Sequence, residues 1–570
     1  MSIATKEGIV HMDQQAAFEH RGWSIQVHDN PEAFREVVER AIAEAPGYGI
    51  TSLDLHGGVV PPSVDWISLF AEFRQVFALK KQDAFTYQGR ELDLAKRTEH
   101  REQLRDICRQ IHEAGLQVFI RYEILNGLPD ELLAVEPTLS RWDGRRLWQI
   151  IGGMLDDFLG ALPEVDGIIA TADEILASSM HDQAGGASIE KLRAVYQCVY
   201  ESCRRHRRKL MVREVGYTAG EKRVFFEAVR ALPPDIIIMV KDTMGNWCHF
   251  DAPVNPTLYT LPGKAVLVEC DLFGEHWGRQ EIPTCRLRQI HRTVRSWLPL
   301  KVLGATGRIM VHDGPDPATH VFDTPNAANV AAYCKLVRDP GLRTENMEVW
   351  DVNGEAFDLR LWFDWLRDRY GEHASPHVVS ALDRTPRVCR LVFYLGGAYF
   401  QESSYLPTAA RFERLLWPTF LRQAKSLGMD VLRWEKEEAL RLVRQSLRDI
   451  ELARATLQTD DYENLILLFE QGRDVILTYR TLLRLCEGRL HPELMGTAIR
   501  EAAELADRIQ TVRGESFFGR LPERLRRLSQ FLQDVTRGIP SELENEAPMV
   551  LESRQDEEQI DIADLGLPFA

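Results

Sequence analysis

Short apolar runs alternate with helical patterns along roughly the first 320 residues of the chain. The runs are rich in β-branched residues and almost continuously apolar, which is typical of strands covered on both faces. Amphipathic stretches with helical spacing separate most of them. Eight such strands with intervening helices predict an α/β fold, a (β/α)8 TIM barrel. The predicted strands are 23–30, 48–57, 116–124, 166–174, 209–217, 235–242, 265–271 and 305–313.

The pattern changes near residue 340, where apolar residues recur at helical spacing over long segments. The segments 357–371, 429–458, 460–488 and 497–514 therefore predict an α-helical domain that follows the barrel. Its Trp and Leu stripes form either core or part of a homodimer interface. The predicted organisation is an N-terminal lead (1–17), a catalytic barrel (18–340), a helical domain (341–540) and an acidic disordered tail (541–570).

Composition narrows the classes of function. The net charge of −16 argues against nucleic-acid binding, and about half of it lies in the last thirty residues. The sequence contains no run of about 18 apolar residues, so it predicts no membrane span. The nine cysteines form no CxxC pairs, which indicates free thiols and no zinc or redox site. The N-terminal residues do not resemble a signal peptide, so we expect a cytoplasmic protein.

The chemistry of the predicted barrel should lie where its strands end, because barrel active sites occupy the C-terminal face. Carboxylates crowd these ends, cations interrupt them and Trp residues lie at the rim, a combination that suits glycoside hydrolysis. Alternatives are barrel-end salt bridges and a divalent metal held by the carboxylates. The charged, polar and aromatic residues at the strand ends are His28, Asp29, Asn30, Asp54, His56, Arg121, Glu123, Asp173, Glu174, Arg213, Glu214, Tyr217, Lys241, Asp242, Asn246, Trp247, Asp271, Glu275, His276, Trp277, His312 and Asp313.

Several of these segments resemble the α-glucuronidases of glycoside hydrolase family 67, in sequence order along roughly residues 18–350. The similar segments are HRGWSIQVHDN, PEVDGIIATADEI, MVREVGY, IIIMVKDTMGNW, VECDLFGEHWG and DTPNAANVAAYCKLVRDPGLRTENMEVW. The resemblance implies that Glu174 is the acid catalyst and Glu275 the second catalytic carboxylate. It also implies that Arg213 contacts the uronate carboxylate, and Lys241 matches the family's Lys. Asn246 stands where the family has a catalytic Asp, and Asp242 lies four residues before it.

The resulting hypothesis is inverting hydrolysis of a non-reducing-end α-linked uronic acid. A protonated Glu174 would donate to the leaving oxygen, while an ionised Glu275 activates water on the opposite face of the sugar. Asp242 or Asn246 would assist, and Arg213 and Lys241 would hold the sugar carboxylate. Inversion predicts that the two catalytic carboxyl groups lie about 6.5–9.5 Å apart. Further substrate contacts are expected from Trp247, Trp277, His28, Asp29, Glu123 and Asp313.

Three alternatives stand beside this hypothesis. Arg213 and Lys241 could serve only to neutralise neighbouring acids such as Glu214 and Asp242. The barrel could bind carbohydrate without turnover, because Asn246 cannot act as a base. A metal-dependent sugar isomerase or lyase is the third alternative. The main hypothesis requires a carbohydrate substrate, no cofactor and no resident metal.

Overall fold

The structure is a computed structural model that describes most of the barrel and of the helical region. The described residues are 17–28, 30–56, 67, 70, 84–87, 90–124, 130–135, 145–172, 186–214, 219–243, 255, 263–300, 302–313, 319–340, 348–350, 356–358, 360–399, 405–515 and 517–537.

Eight parallel strands close into a barrel in sequence order, with the last strand paired to the first. The predicted fold class is therefore confirmed: a (β/α)8 barrel precedes a helical region. Each of the eight predicted apolar runs overlaps one strand of the barrel, although the first strand begins three residues before its run, at His20. The strands are β1 (His20–His28), β2 (Ser52–His56), β3 (Gln117–Glu123), β4 (Gly167–Thr171), β5 (Lys209–Arg213), β6 (Ile237–Lys241), β7 (Ala265–Asp271) and β8 (Gly304–Asp313).

Helices follow the barrel strands, and local signals set several of their ends. The side chain of Asn30 accepts a hydrogen bond from the backbone of Ala33, Pro31 occupies the first turn, and Gly49 ends the first helix at φ 67°. Gly115 ends the second helical segment at φ 77°, as its sequence position predicts. The helices in this part are α1 (Pro31–Tyr48), α2 (Leu94–Glu113), α3 (Asp130–Val135), α4 (Arg145–Ala161), α5 (Gly186–Arg205), α6 (Ala219–Arg230), α7 (Leu287–Trp297) and α8 (Ala327–Arg338).

Among its described residues, the helical region contains eight further helices of at least eight residues each. The last four are long and pack as consecutive neighbours, so the helical spacing in this part of the sequence is confirmed. A short helix, Ala409–Arg411, continues through a π-helical turn, Phe412–Leu416, into the fourth helix of the region. The eight are α9 (Arg360–Tyr370), α10 (Pro376–Asp383), α11 (Thr385–Phe393), α12 (Trp417–Leu427), α13 (Met429–Ala453), α14 (Thr459–Leu490), α15 (Pro492–Arg513) and α16 (Phe517–Thr536).

Three two-stranded antiparallel hairpins complete the regular structure of the described residues. They pair Ala84–Tyr87 with Arg90–Asp93, Glu348–Trp350 with Ala356–Asp358, and Tyr394–Leu395 with Ala398–Tyr399. The eight cysteines within the described ranges are free thiols. Among the helices described, none combines the length and the apolar character that crossing a bilayer requires.

The barrel interior changes from apolar to charged along the strands. Phe119, Ile169, Met211, Met239 and Leu267 pack together inside the barrel. Because side chains alternate between the two faces of a strand, the residue two positions further along each strand also points inward. Those residues lie nearer the C-terminal end and are Arg121, Thr171, Arg213, Lys241 and Glu269. An apolar layer therefore supports a mostly charged one at the catalytic face of a barrel.

Candidate active site

Glu269 of β7 is the centre of the charged layer. It is fully buried and accepts hydrogen bonds from Nη2 of Arg121 at 2.6 Å and from Nε of Arg213 at 2.7 Å. Nη2 of Arg308 lies 3.5 Å away. Burial favours the neutral carboxyl, but the three guanidinium charges outweigh burial and hold the pKa of Glu269 well below its usual value. Glu269 is therefore a buried anion that gathers cations from three strands.

Arg308 connects this buried cluster to the mouth of the barrel. Its Nη1 donates to Oε2 of Glu275 at 2.6 Å, while its Nη2 faces Glu269. The pairing of β1 with β8 shifts register immediately after Arg308, so that Ile309 has no partner in β1. Bulges of this kind re-aim side chains at barrel rims. Arg308 thus spans two carboxylates, one fully buried and one partly exposed.

Glu275 is the partly exposed member, with 20% of its side chain accessible. Burial by itself raises the pKa of Glu275, but the Arg308 guanidinium, together with His276, Arg279 and Lys241, reverses the shift and lowers the pKa to about 2. Burial lowers the pKa of His276 to about 4, so this imidazole is neutral near pH 7. The three permanent cations therefore keep Glu275 ionised throughout the physiological range.

The backbone that carries Glu275 is fixed by the end of β7. The carboxylate of Asp271 accepts from the backbone N–H of Gly274 at 2.9 Å and from that of Glu275 at 3.1 Å. Arg286, at the start of α7, donates to the carbonyl of Asp271 and lies 3.6 Å from its carboxylate. Residues 272–286, which we call the β7–α7 loop, therefore present Glu275 in a defined turn and not on a free tether.

Asp242 lies beside the mouth, just after β6, where it neighbours Arg286 and Asp271. One of its carboxylate oxygens is buried and has no hydrogen-bond partner among the residues described. Burial raises the pKa of Asp242 to about 7, against the opposing charge of Arg286. Asn255 donates to the carbonyl of Lys241 at 3.0 Å and so holds the adjacent backbone. A carboxyl group that titrates near neutral pH can exchange a proton, which is the property a general acid or base needs.

The predicted substrate-binding cations are buried. Arg213 is 3% exposed and Lys241 is 2% exposed. The contact of Arg213 is with Glu269, whereas Glu214 pairs with Lys222 of α6 at 2.6 Å, on the outer side of the strand. Arg213 therefore neutralises a buried carboxylate, as that alternative predicts, and the carboxylate is that of Glu269.

Trp277 does not have the position predicted for it. Its side chain is fully buried and stacks on Tyr394 of the helical region, with ring centroids 5.9 Å apart. It also belongs to the apolar core of that region. The prediction that Trp277 forms a sugar-facing wall is corrected: a Trp beside a catalytic carboxylate can point away from the mouth, because successive side chains in a turn point to different sides.

The other predicted residues differ in how much of each the structure describes. Glu123 lies at the end of β3, where its carboxylate contacts Nε2 of His56 at 3.0 Å and keeps 21% exposure. His28 and Asp313 end β1 and β8 and are register partners, although their side chains are outside the described part. Four predicted site residues lie outside the described residues altogether, and they are Asp29, Glu174, Asn246 and Trp247.

Two central residues escaped the sequence analysis, Glu269 and Arg308. Each is a charge within an almost continuously apolar strand, AVLVECD and ATGRIMVHD. The signal available in the sequence was the alternation of side chains along a strand. Glu269 lies two residues before Asp271 and therefore on the same strand face. A charge on the inward face of a barrel strand needs a partner there. Among the described residues no group of three or more His, Cys, Asp and Glu is arranged to hold a metal ion.

Comparisons with known proteins extend the description of the fold. No family model matches the chain, and no curated protein sequence matches it. A solved GH138 enzyme targeting pectin rhamnogalacturonan II superposes with a TM-score of 0.54 at 12% identity, over 86% of this chain and 63% of its own. A mutant Thermobaculum terrenum O-GlcNAc hydrolase gives a TM-score of 0.43 at 11% identity, covering 91% of this chain and 95% of its own. Flavobacterium johnsoniae chitobiase gives 0.35 at 11% identity, over 91% and 78%.

These three neighbours are glycoside hydrolases, and the likeness to the GH138 enzyme is a likeness of fold. The chain spans about 63% of that enzyme's length. The fold of this chain therefore resembles the fold of that glycoside hydrolase.

Proposed function

We propose that this protein is a glycoside hydrolase that releases an α-linked uronic acid at the mouth of its barrel, with Glu275 as the water-activating base. The observation that carries the proposal is the ion pair between Glu275 and Arg308 at 2.6 Å, in a partly exposed position at the C-terminal face. The GH138 enzyme, whose fold this chain resembles, is a glycosidase, and that supports the same choice of reaction.

The charge state of Glu275 supports the role that we propose for it in such a reaction. With a pKa lowered to about 2 by Arg308 against the effect of burial, Glu275 cannot donate a proton near pH 7. It can accept one from water, or stabilise positive charge that develops on the sugar. The acid must therefore be another group. The resemblance to family 67 supports Glu174, which follows Thr171 of β4 by three residues in the sequence.

The charge balance of the mouth supports an anionic substrate. Four cations act on Glu269 or Glu275, and they are Arg121, Arg213, Lys241 and Arg308. Three further carboxyl groups, of Asp54, Asp242 and Asp271, act on the same cluster, but burial raises the pKa of each and so favours their neutral forms. Positive charge that is only partly balanced and has low exposure favours a ligand that brings a carboxylate of its own.

Asp242 is the group we propose as the assistant of Glu275. Its pKa, raised by burial to about 7, allows it to take up and release a proton near neutral pH. It could thus relay the proton that Glu275 removes from water, the part that Asn246 cannot play. A homodimer through the helical region and a cytoplasmic location stay predictions.

The test is turnover of aldobiouronic acids, with release of free uronic acid followed by chromatography. We expect Glu174→Gln and Glu275→Gln each to lower kcat by about a thousandfold or more without loss of fold. Glu214→Gln is the matched control, because Glu214 is also a buried, ion-paired carboxylate at a strand end but faces α6. Tight binding without turnover by the unchanged protein would support a carbohydrate-binding protein instead. Activity that disappears on dialysis against EDTA would support the metal-dependent alternative.

A further inference from the structure

The β7–α7 loop, which carries Glu275, contains consecutive residues in the left-handed backbone region. The φ angles are 91° at Gly278, 45° at Arg279 and 67° at Gln280. Glycine adopts this conformation freely, but Arg and Gln do so only when surrounding contacts hold them. The barrel supplies two such contacts. The hydroxyl of Thr324 donates to Oε1 of Gln280 at 2.9 Å, and Nη2 of Arg279 donates to the carbonyl of Val311 in β8 at 3.4 Å.

The helical region adds three successive contacts to the same loop. The indole of Trp277 stacks on Tyr394 at 5.9 Å between centroids. The guanidinium of Arg279 lies 5.3 Å from the ring centroid of Tyr405. The carboxylate of Glu281 accepts a hydrogen bond at 2.8 Å from the backbone N–H in the first turn of α16, at Phe518. Three residues of the loop, at alternate positions, are thus held by three different segments of the helical region.

The same loop reaches the mouth of the barrel. Trp277 is two residues beyond Glu275, and its carbonyl accepts from the hydroxyl of Thr284 at 2.5 Å, which ties the two arms of the loop together. Arg279 is one of the cations whose charge acts on Glu275. A shift of the contacts with the helical region would therefore move both the backbone of Glu275 and a charge beside it.

We propose that the helical region is a positioning element of the active site: Tyr405 and Tyr394, through Arg279 and Trp277, hold the β7–α7 loop in the conformation that presents Glu275 to the mouth. This inference rests on the proposed function for its consequence in catalysis. The contact surface between barrel and helical region thereby positions the residue that we propose as the base.

Tyr405→Leu tests the inference without changing the loop sequence. The substitution removes the ring beneath Arg279, and we expect kcat to fall by about tenfold or more while KM changes less than about twofold, because small displacements of a catalytic group are costly. Tyr405→Phe keeps the ring and should retain wild-type kcat. The matched control is Tyr462→Leu in α14, where the guanidinium of Arg454 lies 5.1 Å from the ring of Tyr462, away from the loop.

The pH profile supplies a readout that general destabilisation would not change. The charged and titratable groups that act on Glu275 are Arg308 of β8, Lys241 of β6, His276 and Arg279 of the loop, and Asp271 at the end of β7. Loosening Arg279 removes one of the cations that favour ionised Glu275, so its pKa rises. The acidic limb of kcat should therefore move to higher pH in Tyr405→Leu and stay in place in Tyr462→Leu.

Hydrogen exchange separates a failure of this inference from a failure of the proposed function. Tyr405→Leu should accelerate amide exchange across 272–286 and leave the barrel strands unchanged, whereas Tyr462→Leu should not affect the loop. Unchanged exchange in the loop, or equal kcat in the two Leu variants, would overturn the positioning role. If the unchanged protein hydrolyses no uronoside, the proposed function fails, and faster exchange confined to the loop would still support the mechanical link.

Discussion

Replacement of Glu269 by Gln removes the central anion of the charged layer and is therefore the strongest test of how the layer is held together. The substitution keeps the shape of the side chain but removes the anion that Arg121 and Arg213 contact at 2.6 and 2.7 Å. Each contact is an ion pair with less than 5% exposure on either side. At an effective dielectric constant of about 20, one such pair at about 4 Å between charge centres contributes about 4 kcal/mol of attraction.

The expected loss of unfolding free energy is about 3–5 kcal/mol, the range observed when one partner of a buried pair is removed and the other stays charged. Glu214→Gln is the comparison, because it leaves a single cation, Lys222, without its partner. Urea denaturation followed by circular dichroism measures both variants. We expect Glu269→Gln to lose more stability than Glu214→Gln, since three guanidinium groups are left facing one another.

The pH dependence gives an independent check on the same reasoning. The pKa of Glu269 is depressed in the folded state, against the effect of burial, by the three guanidinium groups. Its contribution is therefore present in full above the unfolded pKa of about 4.3 and diminishes as the pH falls below it. The gap between wild type and Glu269→Gln should narrow below about pH 4. A loss under about 1 kcal/mol at pH 7, or none beyond that of Glu214→Gln, would refute the view of Glu269 as the anchor of the layer.

Three other predictions concern charge and packing. Arg308→Met should raise the pKa of Glu275 from about 2 and move the acidic limb of kcat to higher pH, measured from pH 3 to 8; an unmoved limb would count against their coupling. Burial raises the pKa of Asp54 from 3.8 to about 7, so Asp54→Asn should add on the order of 3 kcal/mol to stability at pH 8 and little at pH 4, in thermal melts at both values. A β-carbon at Gly304 would lie 1.9 Å from a carbonyl oxygen of β1, so Gly304→Ala should destabilise the barrel by about 2 kcal/mol or more. A β-carbon at Gly153 would meet no atom within 4 Å, so Gly153→Ala should stabilise α4 by about 1 kcal/mol. Equal denaturation midpoints for these two Ala variants would contradict the packing argument.

The barrel was predictable from the sequence because its strands carry a strong and simple signal. A strand buried on both faces needs apolar residues at nearly every position, and eight such runs separated by amphipathic stretches leave few architectures. The strand ends then follow from the strands, which is why Glu275, Asp242 and Glu123 could be placed at the mouth. Gly115, which the sequence predicts as a helix end, indeed follows the end of α2 with a positive φ.

The partners of these residues were harder to predict, because a pattern along one strand does not show which side chains meet across the barrel. Arg213 pairs with Glu269, 56 positions away, and not with its neighbour Glu214. Arg308 was missed because it lies in an otherwise apolar strand, although it joins Glu269 to Glu275. Trp277 was assigned to the mouth, yet it packs into the helical region. The direction of a side chain within a loop depends on backbone angles, such as the left-handed residues after Gly278, that composition does not encode.

The most direct measurement of the central claim is proton NMR of the sugar released in the first seconds after the enzyme is mixed with an α-linked aldobiouronic acid. Direct attack by water that Glu275 activates predicts β-uronic acid as the first product, with the α-anomer appearing only later through mutarotation. Initial release of the α-anomer would show retention and contradict the role of Glu275 as a base. Absence of any released uronic acid across a panel of such substrates would contradict the proposed function itself.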